Sequence, residues 1–395
     1  MSTLTSRPLL AALSVVSVSF WFATAFAQEL PKHVIFQTSV PLPAEASTGP
    51  PQFEPLDNWF GADVAIRNGF AFAGMPKTNG TGQVAVFTQQ GTSGHWTRSA
   101  TVVASDRTDG DDFGRILSYR DALLIVASNR AVYVYKRVND AWREQQRVML
   151  ETTDGIVDLI HEAGVLAIGA RSETAVSFYI FEQNAAGRFV RHARIVGAGR
   201  AIAMTKREIV VGGFGAAFIF GRNSSGNWVQ RQRLVLAVPD RGFGDGDFGA
   251  AVAIDQGMIL VGAPGRLFGE GRPRGTVHGF VQGTSRYVET FELSSEGTSL
   301  QNFGSSLAMF GNRIAVGASV WQANPENQAS AQVRTFSRNG STVQPLGATD
   351  RGSFPISVAI ANNVLLIGSP EQRACLFFGV GCVGGAIFFD LNRFE

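Results

Sequence analysis

Short apolar runs bounded by Gly, Asn or Asp recur along the chain after residue 57. Runs of this length favour β-strands over helices. The pattern is clearest between residues 250 and 293, the fifth of the repeating units described below, where it predicts four strands: Ala250–Ile254, Met258–Gly262, Gly275–Phe280 and Tyr287–Leu293. The sequence therefore predicts an all-β protein built from four-stranded antiparallel units.

The same unit returns seven times. A small residue ends the second predicted strand of every unit, at intervals of 42 to 55 residues: Gly74, Ala127, Gly169, Gly212, Gly262, Gly317 and Gly368. A four-stranded repeat of this length is typical of a β-propeller, so we predict seven blades in one ring. A linear solenoid is the structural alternative, but it would need distinct capping units at both ends.

The two ends of the sequence indicate how such a ring would close. The seventh unit stops after its third strand, Ala386–Asp390, and lacks a fourth. An apolar segment near the other end, His33–Val40, is the predicted replacement, paired beside Phe388–Leu391. This pairing would remove an open sheet edge. The proline-rich stretch Pro41–Leu56 would then lead to the first blade.

A Phe-Gly pair precedes the first strand in four units: Phe60-Gly61, Phe113-Gly114, Phe248-Gly249 and Phe303-Gly304. Some units also carry a sequence like Gly262-Ala263-Pro264 at the end of the second strand. The chain resembles the FG-GAP repeat family, which builds the propeller of integrin α subunits and of many exported bacterial proteins. The resemblance covers about residues 57 to 391. Units three and four depart from it, with Gly155-Ile156-Val157 and Gly199-Arg200-Ala201 in place of Phe-Gly.

The motif has a structural interpretation, in which Phe wedges between blades while Gly lets two backbones approach closely. In integrin-like members, calcium lies in a loop between first and second strands. Here those connections are short turns such as Asp255-Gln256-Gly257, too short to supply six to eight oxygen ligands. We therefore expect no metal or cofactor at the family's usual positions.

The first residues predict a secretory signal peptide over residues 1–27. Arg7 precedes the apolar run Pro8–Phe26, and Ala25-Phe26-Ala27 is a small-residue cleavage pattern. An uncleaved membrane anchor is the alternative. Export in turn favours a disulfide between Cys375 and Cys382. The predicted organisation is signal peptide (1–27), closing strand and proline-rich span (28–56), and propeller (57–395).

Composition narrows the partners. The net charge is +2, which argues against nucleic acid or an anionic membrane surface as the main partner. No second long apolar run follows the first, so we expect no membrane span in the mature chain, and we expect a monomer.

Aspartates cluster before two first strands, at Asp109–Asp112 and Asp245–Asp247. They could bind calcium or form turns by accepting hydrogen bonds from nearby amides. Asp111, Asp112, Asp245 and Asp247 are also the candidates for an enzyme site at the mouth of the central channel, although no catalytic motif is present.

A candidate binding surface follows from loop length. The loops between second and third strands are long in units five, six, seven and one, which are consecutive in the ring and would form one arc. The arc carries aromatic, basic and amide residues typical of binding surfaces: Leu267, Phe268, Arg272, Arg274, Trp321, Asn324, Phe377 and Phe378. Alternatively, these aromatics fold back over the ring and the loop lengths have no function.

The sequence thus favours an exported recognition module that binds a protein or glycan through one face. A propeller hydrolase or lyase with a site at the channel mouth, and a structural subunit of an envelope assembly, are the alternatives.

Overall fold

The computed structural model describes residues 32–35, 52–55, 59–91, 95–150, 155–236, 247–265, 267–268, 272–273, 275–294, 300–320, 330–339, 342–349, 356–369 and 383–391. The chain divides into residues 1–30, which lie outside these ranges, and a compact unit from residue 31 to 395 that contains all of them.

The described residues form strands β1–β31. Two precede the repeats: β1 (Lys32–Ile35) and β2 (Gln52–Pro55). The first blade contains β3 (Val64–Arg67), β4 (Phe70–Met75), β5 (Gln83–Gln90) and β6 (His95–Val102). The second contains β7 (Ile116–Arg120), β8 (Leu123–Ala127), β9 (Ala131–Val138) and β10 (Ala141–Met149). The third contains β11 (Gly155–Glu162), β12 (Val165–Arg171), β13 (Val176–Gln183) and β14 (Phe189–Val196).

The fourth blade contains β15 (Ala201–Met204), β16 (Glu208–Gly212), β17 (Ala217–Arg222) and β18 (Trp228–Leu234). The fifth contains β19 (Ala251–Asp255), β20 (Met258–Ala263), the short pair β21 (Leu267–Phe268) and β22 (Arg272–Pro273), then β23 (Thr276–Gln282) and β24 (Tyr287–Ser294). The sixth contains β25 (Leu300–Phe310), β26 (Arg313–Val320), β27 (Ser330–Asn339) and β28 (Thr342–Thr349). The seventh contains β29 (Ser357–Ala361), β30 (Val364–Ser369) and β31 (Val383–Asp390). A 3-10 turn, Thr78–Gly80, lies between β4 and β5.

Seven four-stranded antiparallel blades therefore form the fold, as predicted. The first strand of each blade contacts the first strands of both neighbouring blades, and the cycle closes because β29 contacts β3. These seven inner strands surround a central channel. The solenoid alternative is wrong, since a solenoid would leave its first and last units apart.

Apolar burial occurs between the blades. Seven clusters of buried side chains occur among the described residues, one at each junction between adjacent blades. The phenylalanines of the Phe-Gly pairs lie in these clusters and are at most 1% exposed: Phe60, Phe113, Phe248 and Phe303. The predicted wedge role of this aromatic ring is confirmed.

The glycine beside each phenylalanine lies where two backbones touch. In the fifth blade, a Cβ added to Gly262 would lie 2.1 Å from the carbonyl oxygen of Gly304 in the sixth. The same approach joins Gly74 to Gly114, Gly169 to Gly199, Gly212 to Gly249, and Gly368 to Gly61. The last pair connects blade seven to blade one. Gly199 keeps this role although no phenylalanine precedes it.

An N-terminal strand closes the last blade, but the predicted segment is wrong. Gln52–Pro55 (β2) pairs antiparallel with β31, whereas Lys32–Ile35 (β1) pairs in parallel with the outer strand of the fifth blade, β24. Residues 36–40 lie outside the described ranges. The physical reason is the length of the connection to the first blade. In each other blade the outer strand is followed, after a short connection, by the inner strand of the next blade, and β2 is followed by β3 in the same way. The more apolar segment instead covers the edge of blade five.

Candidate functional site

The two faces of the ring are built differently. The loops between second and third strands and the connections between blades share one face, which we call the upper face. The turns between first and second strands lie on the opposite, lower face. These lower turns have the positive φ angles expected of tight hairpins, including Asn68 (+51°) and Asn363 (+63°). The connections between first and second strands therefore contribute no long loop to the lower face in the described part of the chain.

The central channel contains a cavity of about 200 Å³, lined by residues from all seven inner strands. Most are apolar, among them Val64, Leu117, Leu159, Ile202 and Val252. Each inner strand begins at the upper face and runs towards the lower face. The residue that precedes the first lining residue of each strand, such as the one before Val64 or Leu159, therefore lies at the upper end of the cavity. We call this level the channel mouth.

Asp63 lies at the channel mouth in blade one. Its Oδ2 accepts a hydrogen bond from the amide of Leu117 in blade two (2.7 Å), and its Oδ1 accepts from the Ser357 hydroxyl in blade seven (2.7 Å) and from the Val64 amide (2.8 Å). One carboxylate thus links three blades. Burial raises its pKa to about 6, although the three hydrogen bonds oppose that shift.

Asp158 occupies the equivalent position in blade three. Its Oδ2 accepts from the amide of Ile202 in blade four (2.6 Å), and its Oδ1 accepts from Leu159 (2.7 Å). Burial raises the pKa of this carboxyl to about 7, and repulsion from Asp63 adds to the effect. The channel mouth therefore holds two carboxyl groups that titrate near neutrality.

The lower end of the channel wall holds a different polar group. His161 is 1% exposed; its Nδ1 accepts from the Ser118 hydroxyl (3.0 Å), and its Nε2 donates to the carbonyl of Arg120 (2.7 Å). Burial lowers its pKa to about 4, so the imidazole is neutral at pH 7. Arg120 also forms an ion pair with Glu162. All these groups are satisfied, which indicates a structural role.

An aromatic ring, a cation and a carboxylate form a set on the upper face between blades one and two. The Lys77 ammonium lies 5.3 Å from the centre of the Trp59 ring and 2.6 Å from Asp112 Oδ2. Trp59 is 43% exposed. We call these three residues the Trp59 triplet.

The same arrangement recurs between blades four and five. The Arg200 guanidinium lies 5.2 Å from the centre of the Phe214 ring and donates to both oxygens of Asp247, at 2.9 and 3.3 Å. Phe214 is 63% exposed. An exposed ring held by a cation that is fixed by a carboxylate is suited to contact a partner. We call these residues the Phe214 triplet.

Trp59 also has an unusual backbone. The residue before each Phe-Gly pair is left-handed: Trp59 (φ +53°), Asp112 (+53°), Asp247 (+63°) and Asn302 (+50°). Asp and Asn tolerate this conformation, whereas a bulky aromatic residue there is strained by roughly 1–2 kcal/mol. Trp59 is therefore an exposed aromatic residue at a position that disfavours it.

The predicted binding arc is described in part. Leu267, Phe268 and Arg272 belong to the hairpin β21–β22 in the loop between β20 and β23, on the upper face. The rest of the set lies outside the described residues: Arg274, Trp321, Asn324, Phe377 and Phe378. Cys375 and Cys382 lie outside them as well. The arc therefore stays a prediction.

Three aspartates of the predicted clusters are engaged with cations, while Asp109 is exposed. Asp111 is 3% exposed and bonded to Arg130 Nε (3.1 Å), while Asp112 and Asp247 belong to the two triplets. Asp245 lies outside the described ranges. Within those ranges, no three His, Cys, Asp or Glu side chains gather closely enough to hold a metal ion.

Sequence reasoning missed Asp63 and Asp158, and it missed both triplets. The sequence does contain a feature that distinguishes these aspartates. At the position of the repeat that Asp63 and Asp158 occupy, the other five units have Ile116, Ala201, Ala251, Ser306 and Ser357. Comparing this one position across units shows two charged residues where apolar or small ones are usual. Trp59 could have been found by the same comparison.

The described part of the chain contains no helix of the length and hydrophobicity required for a transmembrane segment. No protein-family model matches the sequence, so the FG-GAP resemblance is not confirmed. No curated protein matches it either.

The fold is similar to solved structures. A periplasmic gluconolactonase from Pseudomonas aeruginosa matches with 17% identity and a TM-score of 0.50, over 74% of this chain and 86% of that one. A protein from Lactobacillus plantarum matches with 9% identity and a TM-score of 0.51, over 81% of this chain and 98% of that one. At such identities the similarity concerns the fold alone, and the chain is a seven-bladed β-propeller.

Proposed function

We propose that the protein is an exported recognition module that binds a protein or glycan partner through its upper face. The observation that carries the proposal is Trp59, which is 43% exposed and has a φ of +53°. Residues held in strained backbone conformations cluster at functional sites. A folding role alone would favour Asp or Asn at this position.

Two further features support this surface. The Phe214 triplet repeats the chemistry of the Trp59 triplet elsewhere on the same face, giving two exposed rings with fixed charges. The hairpin β21–β22, with Leu267, Phe268 and Arg272, extends the loops of blade five on that face. Aromatic rings flanked by charged hydrogen-bonding groups suit a sugar, whose face stacks on the ring and whose hydroxyl groups donate hydrogen bonds. They also suit an amphipathic protein surface.

The test replaces Trp59 by Asn, a residue that tolerates the left-handed backbone. We expect Trp59→Asn to raise the free energy of unfolding by about 1 kcal/mol and to abolish partner binding. Binding is measured on a printed glycan array and by pull-down from the envelope fraction of the protein's own source. Stability is measured by urea unfolding.

The matched control is Val190→Ser, which removes a 52% exposed apolar side chain from the outer strand β14, away from the upper face. Binding should survive this change. If Trp59→Asn binds like the unaltered protein, or if both variants lose binding equally, the proposal fails.

A second candidate function is acid–base catalysis at the channel mouth. Asp158 titrates at about 7, near the value that a general acid or base needs at neutral pH. One structural neighbour is a gluconolactonase, so a sugar lactone is the first substrate to try. Proton release from glucono-δ-lactone, compared between the unaltered protein and Asp158→Asn, tests it. Hydrolysis no faster than the spontaneous rate eliminates this candidate.

A further inference from the structure

Positive charge is concentrated in one stretch of the chain. Between Arg188 and Arg233 there are nine Lys or Arg residues and one acidic residue, Glu208. The whole chain has a net charge of only +2, so the rest of the chain taken together is net acidic. This stretch forms the outer strand of blade three and all of blade four. A local excess of this size creates a positive potential that the overall charge conceals.

Part of this charge faces a cleft on the lower side of the ring, between blades four and five. The cleft has a volume of about 500 Å³. Blade four contributes four cations to its lining: Lys206, Arg207, Arg222 and Arg231. Blade five contributes amide side chains, Gln256 and Gln282. We call this site the basic cleft.

The carboxylate in the cleft forms no ion pair with these cations within the described part of the chain. Glu208 accepts a hydrogen bond from the Tyr287 hydroxyl (2.7 Å). Lys206 and Arg207 are exposed in the turn between β15 and β16, and neither has an ion-pair partner within the described part of the chain. Two exposed cations without an ion-pair partner in the cleft lining are available for an anionic ligand.

The other two cations are held in place. Arg222 lies over the Trp228 ring at 4.7 Å and pairs with Glu182 of blade three at 2.9 Å. Arg231 donates to the carbonyl of Arg222. Opposite them, Gln256 accepts from Arg338 (3.1 Å), which fixes one amide. Fixed guanidinium groups facing amides can bind anionic groups and hydroxyl groups side by side.

The lining favours an acidic polysaccharide over a nucleic acid. None of the described lining residues is aromatic, and the nearby Trp228 is only 9% exposed beneath Arg222. Single-stranded nucleic acids bind largely by stacking bases on exposed rings, which this cleft does not offer. Sulfate or carboxylate groups on a hydroxylated chain match the guanidinium and amide groups that it does offer.

We propose that the basic cleft is a second binding site, which takes an acidic polysaccharide on the lower side of the ring. The site is separate from the upper face and does not depend on the function proposed there. Binding should weaken steeply with salt, because the polymer releases counterions as its charges meet Lys and Arg.

The experiment measures binding of the full chain to dextran sulfate, polygalacturonate and neutral dextran by titration calorimetry from 50 to 200 mM NaCl. We expect binding to one or both acidic polymers and none to neutral dextran. The double variant Lys206→Ala/Arg207→Ala should weaken binding about tenfold and lower the salt slope by about one to two. Whether sulfate or carboxylate is preferred identifies the anionic group.

The matched control is Lys136→Ala/Arg143→Ala, which removes two exposed charges from blade two. It should leave the affinity within about twofold. Equal weakening by both double variants would show general attraction rather than a site and would overturn the proposal. So would binding to neutral dextran, absence of binding to both acidic polymers, or tighter binding of a single-stranded DNA of equal charge.

Discussion

The upper and lower ends of the central channel carry ionisable groups whose pKa values shift in opposite directions for the same reason. Asp158 and His161 are three residues apart on one strand, β11, and burial is the main cause of both shifts. Burial disfavours the charged form, so it raises the pKa of the carboxyl to about 7 and lowers that of the imidazole to about 4. One wall thus holds an acid and a base that are both mostly neutral near pH 6.

The surroundings of the two groups differ as well. His161 is closed in by Ser118 and Arg120 and is 1% exposed, whereas Asp158 is only partly buried at the channel mouth. The upper end also holds the closest backbone contacts between blades. The lower end is therefore fixed by a saturated side-chain network, and the upper end combines tight backbone packing with groups that can still exchange protons.

The largest expected effect tests the backbone packing at the upper end. Gly262→Ala would place a methyl group 2.1 Å from the Gly304 carbonyl oxygen, so we expect the free energy of unfolding to fall by about 3 kcal/mol. Urea unfolding measures it. The control is Ala127→Gly at the junction of blades two and three, where a Cβ is already present and where about 1 kcal/mol should be lost. Equal losses would contradict the close-contact interpretation.

A smaller effect tests the side-chain network at the lower end. His161→Leu leaves the Arg120 carbonyl and the Ser118 hydroxyl without this partner, which should cost about 2 kcal/mol at pH 7.5. The measurement is again the free energy of unfolding in urea. His192→Gln, at a more exposed histidine on β14, should change it by less than about 0.5 kcal/mol. A His161 variant as stable as that control would show that the network does not stabilise the ring.

The smallest effect is a pH dependence that separates the two ends. Asp158 binds protons more tightly in the folded state, so its contribution to stability is present below pH 4 and is lost as the pH rises through about 7. His161 binds protons more tightly when unfolded, so its contribution is present above about pH 6.5 and is lost as the pH falls through about 4. The contribution of Asp63 is also present below pH 4 and is lost as the pH rises through about 6, so it acts in the same direction as that of Asp158, and His161 opposes both.

Asp63 and Asp158 together outweigh His161, so the stability of the unaltered protein should fall from pH 4.5 to 6.5. Asp158→Asn should flatten this profile by removing about 1 kcal/mol of the fall, after allowance for solvent screening, because the remaining contributions of Asp63 and His161 oppose each other. Urea midpoints at pH 4.5, 5.5, 6.5 and 7.5 measure it. Asp140→Asn, at an exposed carboxylate in the turn between β9 and β10, is the control and should keep the original profile. If Asp158→Asn keeps it too, the carboxyl does not titrate in this range.

The basic cleft illustrates a limit of what the net charge of a chain can indicate. The net charge of +2 argued against nucleic acid or an anionic membrane surface as the main partner, yet the stretch from Arg188 to Arg233 carries nine of the cations. Their combined field depends on which blade each residue joins and on which face of the ring it lies. Composition averages over both.

The sequence alone determined the number of blades and the position of nearly every strand in them. This was possible because strands are local: alternating apolar residues, Asn and Gly at hairpins, and a small residue at each inter-blade contact recur at a fixed register. The tertiary structure alone decided which N-terminal segment closes the ring, since Gln52–Pro55 has almost no apolar signal and is chosen by its distance from blade one. It also decided the chemistry of the channel mouth. The pKa of Asp63 is raised by burial, and its carboxylate accepts a hydrogen bond from the amide of Leu117, which is 54 positions away in the sequence. Contacts between blades depend on closure of the ring, and no local pattern encodes closure.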